Sequence, residues 1–285
     1  TARTPEKCPK MKKKPIFKRP LFYLLLFAVF CAVYGFTGIL RDGLESRQIN
    51  VTVQSQSGVQ GAIRVVQLSD LHSKHFGEGN SELLALIASK KPDLIVTTGD
   101  MIDVHATDLE GCVNLHRKLA EIAPTAFSLG NHEVARDDWR ELIKRLNEAG
   151  AIPLVDNVTT IQVNGLPVRV GGIMRASELP ELEHQGPIDI LLCHMPCDPS
   201  VFAERGVGLV FSGHAHGGQA RIPILHIPLY AHGEGLFPKY TSGLYTEDGV
   251  SMIVSRGLGN TARLGIRIPR VHNPPEIIVA EVIFE

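Results

Sequence analysis

From residue 61 onward the chain alternates short apolar runs with amphipathic stretches. The runs at 63–68, 94–98, 125–129, 188–193 and 209–211 are brief, apolar and bounded by turn residues, so they read as buried strands. Three stretches between them carry apolar residues at helical spacing. The first is capped near Asn80 or Ser81, runs through Leu83, Leu84, Leu86 and Ile87, and stops before Pro92. The second covers 108–122 and stops at Pro124; the third covers 137–149 and is closed by Gly150. Between 158 and 174 the period changes to two. Val158, Thr160 and Gln162 alternate there with Thr159, Ile161 and Val163. Asn164-Gly165 then signals a type I′ hairpin, with 168–173 as the return strand. Runs at 252–255 and 277–284 add two more strands. Such a mixture of βα units and a hairpin predicts an α/β fold of two packed sheets with outer helices.

A different pattern precedes residue 61. Residues 21–40 run for twenty positions without a charge, which at helical rise spans about 30 Å, the thickness of a bilayer core. Tyr23 and Tyr34 suit the two interfaces, and Arg41-Asp42 closes the segment. A cleavable signal peptide needs small residues before a cut site, and no Ala-x-Ala pattern follows here. Cys31 is a poor lipoprotein site because bulky Phe30 precedes it. Lysines ahead of the segment favour the cytoplasm. The expected organisation is a basic cytoplasmic tail (1–20), a transmembrane signal anchor (21–40), a stem (41–60) that runs into a first or edge strand around Ile49-Val51-Val53, and a domain over 61–285. That places a single-pass protein in the cell membrane with its domain on the extracytoplasmic side.

Charge adds one exclusion. Of 29 basic side chains, eight lie in residues 1–20 beside one acid, so the rest carries 21 basic against 29 acidic residues. An acidic body lacks the electrostatic footprint of a duplex-binding protein, and no nucleic-acid partner is expected. The five cysteines are scattered, form no CxxC pair, and read as small buried residues; Cys193 and Cys197 are close enough in sequence to bridge.

Five of the apolar runs deliver metal-type ligands just past their C-terminal ends: Asp70 with His72, Asp100, Asn131 with His132, His194, and His214 with His216. The crevice beyond strand C-termini is where α/β sheets bind ligands. One such residue could arise by chance; five together point to a metal site. Carboxylate, amide oxygen and imidazole without thiolate favour manganese, iron or zinc. Two dications held by only two carboxylates leave a positive hole that attracts an anion such as phosphate.

These elements (Asp-x-His, Gly-Asp, Gly-Asn-His-Glu, a lone His after a strand, and Gly-His-x-His) resemble the signature of the calcineurin-like metallophosphoesterases over about 61–285. Gly217-Gly218-Gln219, 235–240, 243–245, 255–259 and 273–277 are similar to a membrane-associated bacterial branch. That branch includes YaeI- and YkuE-type phosphodiesterases and chlamydial-type UDP-2,3-diacylglucosamine pyrophosphatases. The resemblance implies a four-layer α/β/β/α sandwich and two divalent metal ions, with manganese favoured and iron or zinc as alternatives. By motif position, Asp70, His72 and His216 would hold one metal, Asn131, His194 and His214 the other, and Asp100 would bridge both. It also implies a metal-bridging hydroxide as in-line nucleophile, His132 as the group protonating the departing oxygen, and Glu133 orienting His132 or its loop. Arg256, Tyr240 and Phe237 are substrate-binding candidates, against solvation for the arginine and ordinary packing for the aromatics. Cys197-Asp198 stands after His194-Met195-Pro196, where the family often has Asp or Glu, which affects a local hydrogen bond and no ligand. His75 and His105 follow ligand motifs closely enough to line the cleft.

The expected activity is hydrolysis of a phosphodiester or pyrophosphate in a phosphorylated small-molecule or lipid-linked substrate, with the membrane as partner through the helix. A phosphomonoesterase or protein phosphatase on the same fold is the nearest alternative. A non-catalytic metal-binding scaffold is disfavoured, because every ligand position and His132 are retained.

Overall fold

A computed structural model describes residues 20–39, 43–222, 225, 227–231, 235–260, 262–263 and 266–285. The basic tail of 1–19 and the charged pair Arg41-Asp42 lie outside the described residues.

In chain order, helix α1 (Pro20–Ile39) precedes strands β1 (Glu45–Val53) and β2 (Gly61–Leu68). Helix α2 (Ser81–Ser89), strand β3 (Leu94–Thr98), helix α3 (Glu110–Ile122) and strand β4 (Thr125–Ser128) follow. Next come the one-turn α4 (Asn131–Val134), α5 (Trp139–Glu148) and β5 (Ile152–Pro153). The hairpin strands are β6 (Asn157–Val163) and β7 (Leu166–Ile173), followed by β8 (Ile188–Cys193) and β9 (Val207–Ser212). Two small ribbons pair β10 (Arg221–Ile222) with β11 (Ile227–Pro228) and β12 (Tyr230–Ala231) with β13 (Gly235–Leu236). The chain ends with β14 (Gly243–Glu247), β15 (Val250–Val254), the short β16 (Ala262–Arg263) and β17 (Ile266–Arg267), and β18 (Glu276–Phe284).

Eleven of these strands are longer than two residues, and together with the two-residue β5 they build two six-stranded sheets. The first runs β1-β18-β2-β3-β4-β5 and the second β14-β15-β9-β8-β7-β6. Strands β2 to β5 are mutually parallel, as are β7, β8, β9 and β15. The sheets pack face to face over a fully buried layer that includes Val65, Leu94, Val96, Leu192, Leu209 and Phe211. Burying each such side chain contributes about 1.5–3 kcal/mol. Outside the first sheet, α2, α3 and α5 cover a second core through Leu83, Ile87, Leu115, Leu119, Leu142 and Leu146. Outside the second, two 3₁₀ segments (Ala176–Gln185 and Pro199–Arg205) supply Leu179, Leu182 and Phe202. The four layers are those expected, except that the last is made of 3₁₀ turns; Pro180, inside the first of them, removes a donor that a longer α-helix would need.

The hairpin forms as expected, with Asn164 and Gly165 both at positive φ (51° and 82°) as a type I′ turn requires. Within the stretch read as a stem running into a first or edge strand, residues 45–53 form an edge strand, parallel to β18 with Val51 and Val53 turned into the inter-sheet core. The reason is remote: β18, from the chain's other end, inserts between β1 and β2. Helix α1 is long and apolar enough to cross a membrane, and its side chains are mostly exposed.

Candidate metal centre

The site lies where the parallel strands of both sheets end. The first sheet contributes the loops after β2 (Asp70, His72), β3 (Asp100) and β4 (Asn131, His132). From the second come the loops after β8 (His194) and β9 (His214, His216). Backbone hydrogen bonds tie these loops together. Asp70 N–H donates to Gly99 O (3.0 Å), His72 N–H to Asp100 O (2.9 Å) and Gly213 N–H to His194 O (3.0 Å). The buried Gln67 amide crosses between sheets, donating to Ser212 O at 2.8 Å and Thr98 Oγ1 at 3.0 Å. Gly130 and Gly213 permit this closeness, since a Cβ on Gly130 would meet Asp100 and one on Gly213 would meet Ser69 and Asp70.

All seven expected ligands converge. Asp70, His72 and His216 bring ligand atoms together in one group, and Asp100, His194 and His214 do so in another. His72 Nε2 lies 3.1 Å from His216 Nε2, and His216 Nε2 lies 3.6 Å from Asp70 Oδ1. Asp100 Oδ2 stands between the groups, 3.7 Å from His72 Nε2 and 3.4 Å from His194 Nε2. Asn131 Oδ1 completes the second group, 3.1 Å from His194 Nε2. Five of the seven (Asp70, His72, Asp100, His214 and His216) sit at positive φ between 46° and 64°, a conformation costly for residues with a Cβ.

The donor chemistry fits divalent cations. His194 Nδ1–H donates to the Thr98 carbonyl at 2.7 Å, which leaves a lone pair on Nε2. That lone pair faces two acceptor oxygens, from Asp100 and Asn131, an arrangement that repels unless a positive charge sits between them. In the absence of a cation, a proton on Nε2 relieves the same repulsion. Burial alone would lower His194, but the Asp100 carboxylate outweighs it and pushes the imidazole up to about 10. Burial likewise opposes ionisation of Asp100, yet His194 and His72 hold its carboxyl well below the usual range. Asp70 is pushed up to about 6 by burial. Burial pushes His72 down to about 4 and His216 well below the usual histidine range, leaving both in the neutral form that ligates metals.

His132 stands beside the groups, its ring 4.4 Å from that of His72. Its Nδ1 accepts from Val104 N–H (3.1 Å), so the neutral ring carries its proton on Nε2. Glu133 serves the loops. Its buried carboxylate accepts from the N–H groups of Asp100, Met101, Ile102 and Gly130.

The three substrate-binding candidates differ in setting. Arg256 is held in ion pairs with Glu276 (2.6 Å) and Glu45 (3.0 Å), so its guanidinium is already engaged. Tyr240 is buried in the core outside the second sheet, edge-on to Tyr245. Phe237 is exposed. Cys193 and Cys197 are free thiols, and Asp198 caps the following 3₁₀ turn by accepting from Ser200 N–H. His75 lines a cavity of about 300 Å³ with Ser73, Lys74, Met101 and Cys112, next to the His72 loop. Two contributors escaped sequence reading: Thr98, through its carbonyl, and Arg270, whose Nη2 lies 3.3 Å from His216 Nδ1. Neither carries a local sequence signal, because both act across chain separations that only folding closes.

Comparison with known proteins agrees with the geometry. A sequence profile of the calcineurin-like phosphoesterases matches residues 63–218, from β2 through the Gly-His-x-His turn. The chain is 27% identical over 232 residues to phosphodiesterase YaeI of Escherichia coli, covering 77% of this chain and 82% of that protein. It is 31% identical over 237 residues to the uncharacterized metallophosphoesterase YkuE of Bacillus subtilis, covering 76% and 77%. A transmembrane protein with a metallophosphoesterase domain from Bos taurus is 27% identical over 248 residues, covering 77% of this chain and 54% of that protein. With more than half its length matched by the family and a metal-type donor set at the strand ends, this chain belongs to the calcineurin-like phosphoesterases and is a phosphoester hydrolase.

Proposed function

We propose that this protein is a membrane-anchored phosphodiesterase or pyrophosphatase that holds two divalent cations and acts on a lipid- or cell-envelope-linked substrate outside the cytoplasmic membrane. The observation that carries the two-cation reading is the placement of Asp100 Oδ2 between His72 Nε2 and His194 Nε2, with a complete donor group on either side. Asp70, His72 and His216 would hold one cation, Asn131, His194 and His214 the other, and Asp100 both. Bound divalent cations supply Lewis-acid activation of water and neutralise phosphoryl charge.

The chain's own residues do the rest. His132 presents its Nε2–H to an oxygen of the scissile phosphoryl group, because Val104 N–H occupies Nδ1. Glu133 fixes the loops that carry Asp100 and Asn131, and His132 N–H donates to Asp100 Oδ1 at 2.8 Å, orienting the carboxylate. Diester chemistry is favoured by the likeness to a protein described as a phosphodiesterase. Support for the membrane comes from α1 and from the transmembrane relative.

The test is hydrolysis of bis-p-nitrophenyl phosphate and p-nitrophenyl phosphate by the full chain, metal-free and with added manganese. Metal-dependent diester turnover is expected to fall about 100-fold or more in Asp100→Asn and His132→Ala, roughly 2.7 kcal/mol of transition-state stabilisation. Faster monoester turnover would favour a phosphomonoesterase. A protein that binds no metal by elemental analysis would overturn the reading.

A further inference from the structure

The end of helix α1 does not stand clear of the domain. Tyr34 packs its ring 4.7 Å from that of His272, and its hydroxyl donates to the Arg221 carbonyl. His272 Nε2–H donates to Tyr34 O at 3.1 Å, and His272 N–H to Gly38 O at 3.3 Å. Gly38 lies so close to Val271 and His272 that a Cβ there has no room. From Tyr34 to Gly38 the helix rises about 6 Å. The domain therefore grips the helix one turn inside its end, level with a membrane boundary rather than beyond it on a stalk.

The gripping segments are those that hold the ligand turn. Arg221 Nη1 donates to Gly217 O at 2.6 Å, and Asn273 Nδ2 donates to His216 O at 2.6 Å. Beside them the ribbons β10–β11 and β12–β13 turn large apolar side chains outward. Leu225 is 65% exposed, Leu236 73% and Phe237 64%, with Ile227 and Tyr230 also exposed. Outside α1, these five are the majority of the nine large hydrophobic residues exposed among the described residues, in a stretch of thirteen positions. Scattered exposed hydrophobics need no explanation, whereas a cluster marks an interaction surface. The cluster is also tied to the site: Leu229 N–H donates to Ala220 O (2.8 Å) and Phe237 N–H to Leu229 O (3.2 Å). Pro228 packs directly on Gly218.

We infer that Leu225, Ile227, Tyr230, Leu236 and Phe237 form a lipid-docking patch that seats in the bilayer interface beside α1. The inference rests on the membrane-anchor reading above and names the surface that would present the site to the bilayer. Lipid is favoured over a protein partner because the patch adjoins α1, which among the described residues is the one helix long and apolar enough to cross a membrane. Its aromatic members also suit an interface. The turn carrying His216 then lies at headgroup level, where the phosphoryl group of a membrane-resident amphiphile can reach the donors without leaving the bilayer.

The test uses the full chain in phosphatidylcholine vesicles whose acyl chains are brominated near the headgroup. Trp139 is the sole native tryptophan and supplies the baseline. In Leu236→Trp, the added emission should be quenched at least about twofold more than that of Trp139. Flotation with vesicles without quenching of the added tryptophan would leave the anchor intact and overturn the docking patch. Unquenched emission together with a dimer on sedimentation in detergent would assign the patch to a second copy, and so overturn it too. Failure to float would remove both the anchor and the patch. Leu225→Glu with Leu236→Glu should leave hydrolysis of soluble bis-p-nitrophenyl phosphate within about twofold of the native rate, which shows that the fold survives; a larger loss would place the patch in the site and overturn a purely docking role.

Discussion

Glu133 shows how much one buried carboxylate can organise. Oε2 accepts from Asp100 N–H (2.7 Å) and Gly130 N–H (2.9 Å), and Oε1 from Met101 N–H (2.7 Å) and Ile102 N–H (3.2 Å). Burial first, and then the charge of Asp100, push its pKa up, while those N–H groups pull it down. Glu133→Gln keeps the shape but turns an amide N–H₂ toward backbone donors, stranding at least one of them. The expected cost is about 2–3 kcal/mol in urea unfolding. Metal affinity should fall about 10- to 100-fold in a calorimetric titration, as when the partner of a ligand-bearing group is lost. Unchanged affinity would reduce Glu133 to a purely structural staple. Residue identity along the chain indicated an acid after Asn-His. The four N–H groups that converge on it come from two loops more than twenty-five residues apart.

At the scale of an element, α3 carries a histidine with no motif position and a definite role. His116 is fully enclosed by α3 and β3. Nδ1–H donates to Cys112 O at 2.9 Å, and Nε2 therefore accepts from Thr97 Oγ1 at 3.2 Å. Burial pushes its pKa down to about 4. A histidine held neutral in the fold contributes stability that is fully present above its unfolded pKa near 6.5, and is lost as pH falls through 4. Across that window about 3 kcal/mol should disappear. His116→Gln should flatten the fall in unfolding free energy between pH 6.5 and 4, measured against the native protein in urea. Parallel curves would show that the imidazole titrates alike in both states. The sequence placed this helix and its stop at Pro124; the buried face of Cys112, Leu115 and Leu119 is seen in the structure. That His116 shares the face depends on Thr97 being opposite.

For the whole molecule, the site doubles as a clasp between the sheets. Asp70, His72, Asp100 and Asn131 come from the first sheet, and His194, His214 and His216 from the second, so cations held by both sets would cross-link the sandwich at its open end. A ligand that binds only the folded state stabilises it by about 2.7 kcal/mol at a hundred times its dissociation constant. For a domain of this size that corresponds to roughly 5–10 °C in melting temperature. Chelation should lower the melting temperature by that amount, and manganese should restore it. The Asp70→Asn variant should lose most of the response. A melting curve indifferent to chelator would show that the sheets are held by their apolar interface alone.

The order of strands and helices, the hairpin at Asn164-Gly165, the apolar helix and the polar residues that converge at the strand ends were legible in the sequence. Each rests on a short-range rule: hydrophobic period, turn chemistry, or a polar residue just past a strand. Tertiary structure alone decided three things. Strand β18 comes from the far end of the chain to lie between β1 and β2, which gives the edge strand at 45–53 its parallel partner. Arg256 is drawn into a buried pair with Glu276. And α1 is gripped at Tyr34 and Gly38 by the segments that support His216. All three join residues separated by more than fifteen positions, and two of them by more than two hundred. Local pattern cannot specify such pairings; they are selected only when the sheets and loops bury their surfaces against one another.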